Sequence, residues 1–287
     1  MNTKEETVES WTQVIKPSYS LFELHLNDLW KYRDLVMLFV KRDFVAAYKQ
    51  TILGPLWHFI QPIFTTAMFL LIFSKIAKIP TDGLRPVLFY MSGITLWNYF
   101  SSCLTGTSST FTSNAGIFGK VYFPRLVSPV STVISNIMRF GIQFILLVFV
   151  MLLYTIIKGD DFYFGWSWLL IIPLLVIMAG LGLGLGIIIS SVTTKYRDMA
   201  VLIGFGVQLL MYVTPVVYPL SFVADKSYRW LIMINPITYL IEAFRFALFH
   251  QGVVSYYLIY SVLFTLFSLF IGLLMFNKVE RSFMDTV

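Results

Sequence analysis

Six stretches of this chain stay apolar over roughly the 20 residues that an α-helix needs to cross the hydrocarbon core of a bilayer. They fall at about residues 56–76, 87–104, 130–157, 166–190, 200–217 and 257–276. A segment in lipid must satisfy its own backbone hydrogen bonds, which only helices and closed barrels achieve. Runs of this length therefore predict an all-α integral membrane protein with six transmembrane helices. Composition agrees: of 287 residues, 57% are hydrophobic and 13% charged, with a mean hydropathy of +0.77. A soluble domain carries about 25% charged residues, so this chain has too little polar surface to clothe one.

The segment ahead of the first run divides the chain into a cytoplasmic tail with an interfacial helix, residues 1–54, and a transmembrane unit, residues 55–287. Residues 1–20 mix Lys4, Glu5, Glu6, Glu9 and Lys16 without a compact apolar core, which reads as a tail and not as a cleavable signal. Between 32 and 48, Met37, Val40, Phe44, Ala47 and Tyr48 recur at helical spacing while Arg33, Asp34, Lys41, Arg42 and Asp43 supply charge. That pattern suits an amphipathic helix in the cytoplasmic interface; a helix packed on a soluble partner is the alternative. The net charge of +6 does not indicate nucleic acid, because the basic residues before the first run are interleaved with acids and form no separate basic domain. With six spans, thirteen basic residues fall inside and seven outside, with Arg139 within the third run. The positive-inside rule then places both termini in the cytoplasm.

Residues 230–249 are apolar yet awkward. Asn235 and Pro236 split them, and Glu242 and Arg245 sit in the second half. Neither half is long enough to span alone. Irregular backbone at membrane depth needs cover from protein or a water-filled cavity, so residues 230–249 read as two short half-helices, a re-entrant hairpin entered from the outer side. One kinked full span is the alternative; it would make seven crossings and put the ends on opposite faces.

No catalytic constellation is visible. His25, His58 and His250 have no ligand spacing, so no metal site is expected, and Cys103, the single cysteine, excludes an internal disulfide. Gly116-Ile117-Phe118-Gly119-Lys120 has the wrong spacing for a phosphate loop. Gly180, Gly182, Gly184 and Gly186 lie inside an apolar run, where small residues four apart let helices approach closely. Charge deep in the apolar stretches is limited to Arg139, Glu242 and Arg245, the last two spaced to pair on one helix face. An ion-coupled pump usually carries acids or histidines in its spans. Any transport here should therefore draw its energy from another polypeptide, with no cofactor bound by this chain.

Two features address what is moved and how. The chain holds 27 Phe, 16 Tyr and 7 Trp, and Trp57, Trp97, Tyr99, Trp166, Trp168, Tyr212, Tyr218 and Tyr239 gather near the ends of the runs. Interfacial belts explain most of them; a minority could line a passage for sugars. Trp57, Trp97, Tyr99, Tyr212, Tyr218 and Tyr239, with Glu242 and Arg245, are the candidate conduit or gate residues. The second feature is the stretch 114–125, where Ile117, Phe118, Val121, Tyr122 and Phe123 stand with Lys120 and Arg125 in a segment expected to face the cytoplasm. Exposed apolar clusters mark docking surfaces; a buried elbow between two spans is the alternative.

In order along the chain stand Tyr32-Arg33-Asp34-Leu35, Lys41-Arg42-Asp43-Phe44, Tyr48-Lys49-Gln50-Thr51, Leu53-Gly54-Pro55-Leu56-Trp57 and Gln61-Pro62. Then come Lys120-Val121-Tyr122-Phe123-Pro124-Arg125, Tyr196-Arg197-Asp198, Thr214-Pro215-Val216-Val217-Tyr218-Pro219, Asn235-Pro236 and Glu242-Ala243-Phe244-Arg245. Together these make the chain resemble the permease subunits of type-2 ABC exporters of lipid-linked surface polysaccharides such as O-antigen, capsule and teichoic acid. The resemblance implies a homodimer in the bacterial inner membrane, paired with two copies of a separate ATPase that binds Mg-ATP. It implies a coupling loop at 114–125, an interfacial helix at about 32–50, re-entrant segments at about 221–249 and a passage between protomers. An exporter of a small lipid or drug is the nearest rival; a membrane-embedded glycosyl- or acyltransferase would need a clustered acid, histidine or metal loop.

Overall fold

The computed structural model describes residues 26–286, apart from 50, 119, 122, 160–164, 194, 195, 197 and 253. Tyr122 of the expected docking segment and the 1–25 tail thus lie outside the described residues. Among those described there is no strand. A short α1 (Leu26–Lys31) and α2 (Arg33–Tyr48) precede α3 (Trp57–Phe69), which continues in π-type turns over Leu70–Ile76. There follow α4 (Pro86–Ser108), α5 (Thr110–Phe118), α6 (Val127–Lys158), α7 (Ile171–Thr193), α8 (Met199–Val213), α9 (Arg229–Ile234), α10 (Pro236–Phe249) and α11 (Leu258–Thr286).

Four stretches, Trp57–Ile76, Val127–Lys158, Trp166–Thr193 and Leu258–Val279, are long and apolar enough to cross a bilayer. The expected second run forms α4, but its hydroxyl-rich composition keeps it out of that group. Polar side chains are tolerated there because α4 is an inner helix: Leu88 to Trp97 are buried without interruption. The expected fifth run, 200–217, is helical only over 15 residues. Thr214 turns extended (φ −99°, ψ 143°), because the ring of Pro215 clashes with a helical residue before it.

The centre is built on α7, which packs between α4 and α11. The four glycines divide between these neighbours. A Cβ on Gly182 would stand 2.7 Å from Cys103 Cβ and one on Gly186 2.6 Å from Thr107 Cβ, both on α4. One on Gly184 would meet Ser268 Oγ at 2.7 Å, and one on Gly180 Thr265 Cγ2 at 2.9 Å, both on α11. In lipid, burying apolar surface adds little, so close van der Waals packing holds helices together; glycines on both sides of α7 permit it.

At one end of the bundle, α2, α5, the start of α6 and the far end of α11 share an aromatic cluster. Phe39 meets Phe123 edge-on at 5.6 Å, Phe111 stacks on Phe276 at 4.7 Å, and Phe118 lies 5.6 Å from Phe123. The outer surfaces of the long helices stay apolar, with Phe149 and Ile156 on α6, Val176 on α7, Phe205 on α8 and Phe267 on α11 all exposed.

Candidate functional site

The region expected to re-enter the membrane is divided at the residue the sequence singles out. Asn235 caps α10, its Oδ1 accepting from Ile237 N at 3.1 Å, and its Nδ2 donates to Thr214 Oγ1 at 2.8 Å. The α10 segment is enclosed by α4, α7, α11 and the 3-10 turn Trp166–Leu170, with Pro236 to Arg245 all buried. Ser261 Oγ on α11 donates to Pro236 O at 2.7 Å, the carbonyl at the start of α10, and Ser167 Oγ to Ala247 O at 3.0 Å near its end.

Glu242 and Arg245 do pair, at 3.1 Å. Arg245 is only 2% exposed; its Nη2 donates to Val216 O at 3.0 Å, and its guanidinium carbon lies 3.7 Å from the centre of the Phe89 ring. This is a lock between α10, the turn after α8, and α4. In the single chain both Glu242 and Arg245, two of the candidate conduit or gate residues, face packed protein. Trp97 is likewise a core residue, and Tyr239, also buried, donates its OH to Met233 O at 2.8 Å and stacks on Tyr257. Trp57 and Tyr212 are exposed on the outside of the bundle, and Tyr218 is half-buried with its OH on Tyr212 O at 3.2 Å. The eight candidates therefore form no common surface in the single chain; of them, Tyr99 reaches a described cavity.

The segment expected to dock a partner is partly exposed and partly internal. It begins as helix α5, and Phe118 and Phe123 are 4% and 5% exposed, turned into the chain's own aromatic cluster. Arg125 lies over the Phe118 ring at 5.7 Å. Asn114 Nδ2 ties α5 to α6 through Ser128 Oγ at 2.8 Å. The phenylalanines are anchors, and the surface left outward is Ile117, Lys120 and Val121. The α2 helix is similarly two-sided. Val36, Phe39 and Val40 pack inward while Met37, Leu38 and Val45 face out; Lys41 and Arg33 are exposed and Phe44 half-buried. Arg42 pairs with Asp43 at 2.8 Å and sits over Phe39 at 4.3 Å. For Tyr48 the backbone alone is described, as the last residue of α2.

What the sequence reading passed over is a polar groove between α3, α4 and α6, made of adjoining cavities of about 270 and 510 Å³ that share Ser102, Asn136 and Arg139. The α4 side carries Asn98, Ser101, Ser102, Thr105 and Ser109. The α6 side carries Thr132, Ser135, Asn136, Arg139 and Gln143. His58 and Gln61 of α3 border one end; Arg42 and Asp43 of α2 and Asn114 of α5 border the other. Asn98 Nδ2 donates to Gln143 Oε1 at 3.2 Å across the helices. The signal was present: polar residues recur every three or four positions along both runs, the spacing of one helix face.

An all-helical bundle with apolar outer helices and a polar groove along two of them has the build of a multi-pass membrane protein. The chain belongs to the ABC-2 type transporter family, whose model matches residues 34–249. It is similar to the O-antigen export system permease protein RfbA of Klebsiella pneumoniae, 29% identical over 254 residues, which are 88% of this chain and 94% of that protein. The protein of the same name from Myxococcus xanthus is 27% identical over 79% of this chain and 84% of its own length. The polysialic acid transport protein KpsM of Escherichia coli is 23% identical over 82% and 89%.

Proposed function

We propose that this chain is the membrane-spanning permease of an ATP-driven exporter of lipid-linked polysaccharide of the O-antigen class. The observation that carries the reading is the similarity to permeases named for O-antigen export over 88% of this chain and 94% of the relative. Two protomers would enclose the passage in the bacterial inner membrane, and two copies of a separate ATPase would supply the work by hydrolysing Mg-ATP. Residues 1–54 form the cytoplasmic tail and interfacial helix, and residues 55–287 the permease unit.

Six crossings with both termini cytoplasmic fit the aromatic cluster that brings α2 and the end of α11 to one end of the bundle, since an even number of crossings returns a chain to its starting side. In this reading α4 and α8 cross as inner and short helices, and α9 and α10 form the re-entrant pair. The segment around Ile117, Lys120 and Val121 receives the ATPase, held in place by Phe118 and Phe123.

Deleting the gene should remove long-chain glycan from the cell surface and leave its lipid-linked precursor inside, as read by gel profiles of surface glycan and by labelling with and without membrane permeabilisation. Unchanged surface glycan would sink the polysaccharide reading and favour export of a small lipid or drug.

A further inference from the structure

Arg139 is the feature of the groove that packing does not explain. It lies 12 residues into α6, roughly 18 Å along the axis at about 1.5 Å per residue, within the stretch long and apolar enough to span. Charges at such depth are costly and tend to mark function. Its Nη1 donates to Asn136 Oδ1 at 3.2 Å, and among the described residues it forms no ion pair. Among the described residues the carboxylate bordering the groove, Asp43, is held by Arg42 at 2.8 Å. Ser135 Oγ, buried in the same wall, has no hydrogen-bond partner among the described residues. A guanidinium with most of its five donors unused among the described residues, and with hydroxyl and amide groups around it, is arranged for an oxyanion, above all a phosphate, which its planar fork meets with two parallel bonds.

We infer that Arg139 and its neighbours bind the phosphate-bearing head of a lipid, with the polar walls of α4 and α6 taking the groups attached to it. The surroundings favour a lipid over free phosphate. Helices α2 and α3 both contribute residues to the groove, and the segment joining them exposes Ile52, Leu53 and Leu56, with Trp57 exposed at the start of α3, a surface along which an apolar tail can lie while its head reaches Arg139. The assignment rests on the exporter reading, since it names the part of a lipid-linked substrate that this chain grips.

The test is binding by the purified full chain in zwitterionic nanodiscs, without any ATPase, using farnesyl phosphate, farnesol and inorganic phosphate as probes. Farnesyl phosphate should bind at least about tenfold tighter than farnesol, and Arg139→Gln should lose about tenfold or more, the size expected for charged hydrogen bonds. Arg139→Lys should recover part of the loss, and Lys41→Gln, outside the groove, should change nothing. Ser102→Leu, which fills the groove beside Arg139 and keeps the charge, should weaken binding as well; it decides the matter should Arg139→Gln not fold. Equal binding of farnesol, or unaltered binding by both groove variants, would overturn the assignment. Inorganic phosphate competing as well as farnesyl phosphate would overturn the lipid head in favour of a free-anion site. Because no transport is measured, failure here leaves the exporter reading to its own test of surface glycan.

Discussion

Arg245 shows how a charge is accommodated in a protein surrounded by lipid. One carboxylate, one carbonyl and one aromatic face meet it within 3.1, 3.0 and 3.7 Å. Gly93 makes the room: a Cβ there would stand 2.9 Å from Val216 O and 3.1 Å from Arg245 Nη2. Removing one member of a buried pair strands the other, at about 3–5 kcal/mol, while replacing both with apolar groups is often close to neutral. Arg245→Met should therefore lower the melting temperature in detergent far more than the double change Glu242→Met, Arg245→Met. Equal losses would mean that the guanidinium acts through Phe89 and Val216 alone. Arg139 is the contrasting case: a similar side chain at depth, with a polar cavity and no ion pair among the described residues.

At the scale of elements, the fold separates glycines that pack from glycines that do not. Gly182 on α7 abuts Cys103, whereas Gly204 on α8 has nothing within 4 Å of its missing Cβ. Gly182→Ala should cost about 1–3 kcal/mol through overpacking, and Gly204→Ala should be neutral or gain up to about 1 kcal/mol of helix propensity. Thermal melts of the two variants measure the difference, and equal behaviour would show that α7 is not wedged as described. The start of the α5–α6 connection makes a different forecast. Val121 is 59% exposed and Ile117 36%, so Ile117→Asp with Val121→Asp should leave the melting temperature unchanged and abolish co-purification with the proposed partner ATPase. Phe118→Asp should instead destabilise the chain itself, because that ring is internal. Retained ATPase binding by the double variant would move the docking surface elsewhere.

Topology belongs to the whole molecule. With Cys103 replaced by alanine, single cysteines at Lys78, Lys226 and Val254 should react with an impermeant maleimide from outside. Cysteines at Val121 and Lys278 should react only after permeabilisation. Opposite accessibility of the positions at Lys226 and Val254 would make the intervening segment a full crossing and the count seven.

The apolar runs by themselves determined that the chain is helical and lives in a bilayer, because twenty apolar residues leave the backbone no other way to satisfy its polar groups. Local chemistry also marked Asn235–Pro236 as a break, the glycine ladder of α7 as a packing device, and Glu242–Arg245 as a pair, since each depends on neighbours a few positions away. Tertiary structure alone decided which side chains share a space. Phe123 turns inward because Phe39 stands beside it, a neighbour distant in sequence, and Phe118 packs against Phe123. The candidate aromatics disperse for the same reason, and the polar stripes of α4 and α6, each legible as a helix face, become a groove only when the two helices lie side by side with α3 and α2 closing its ends.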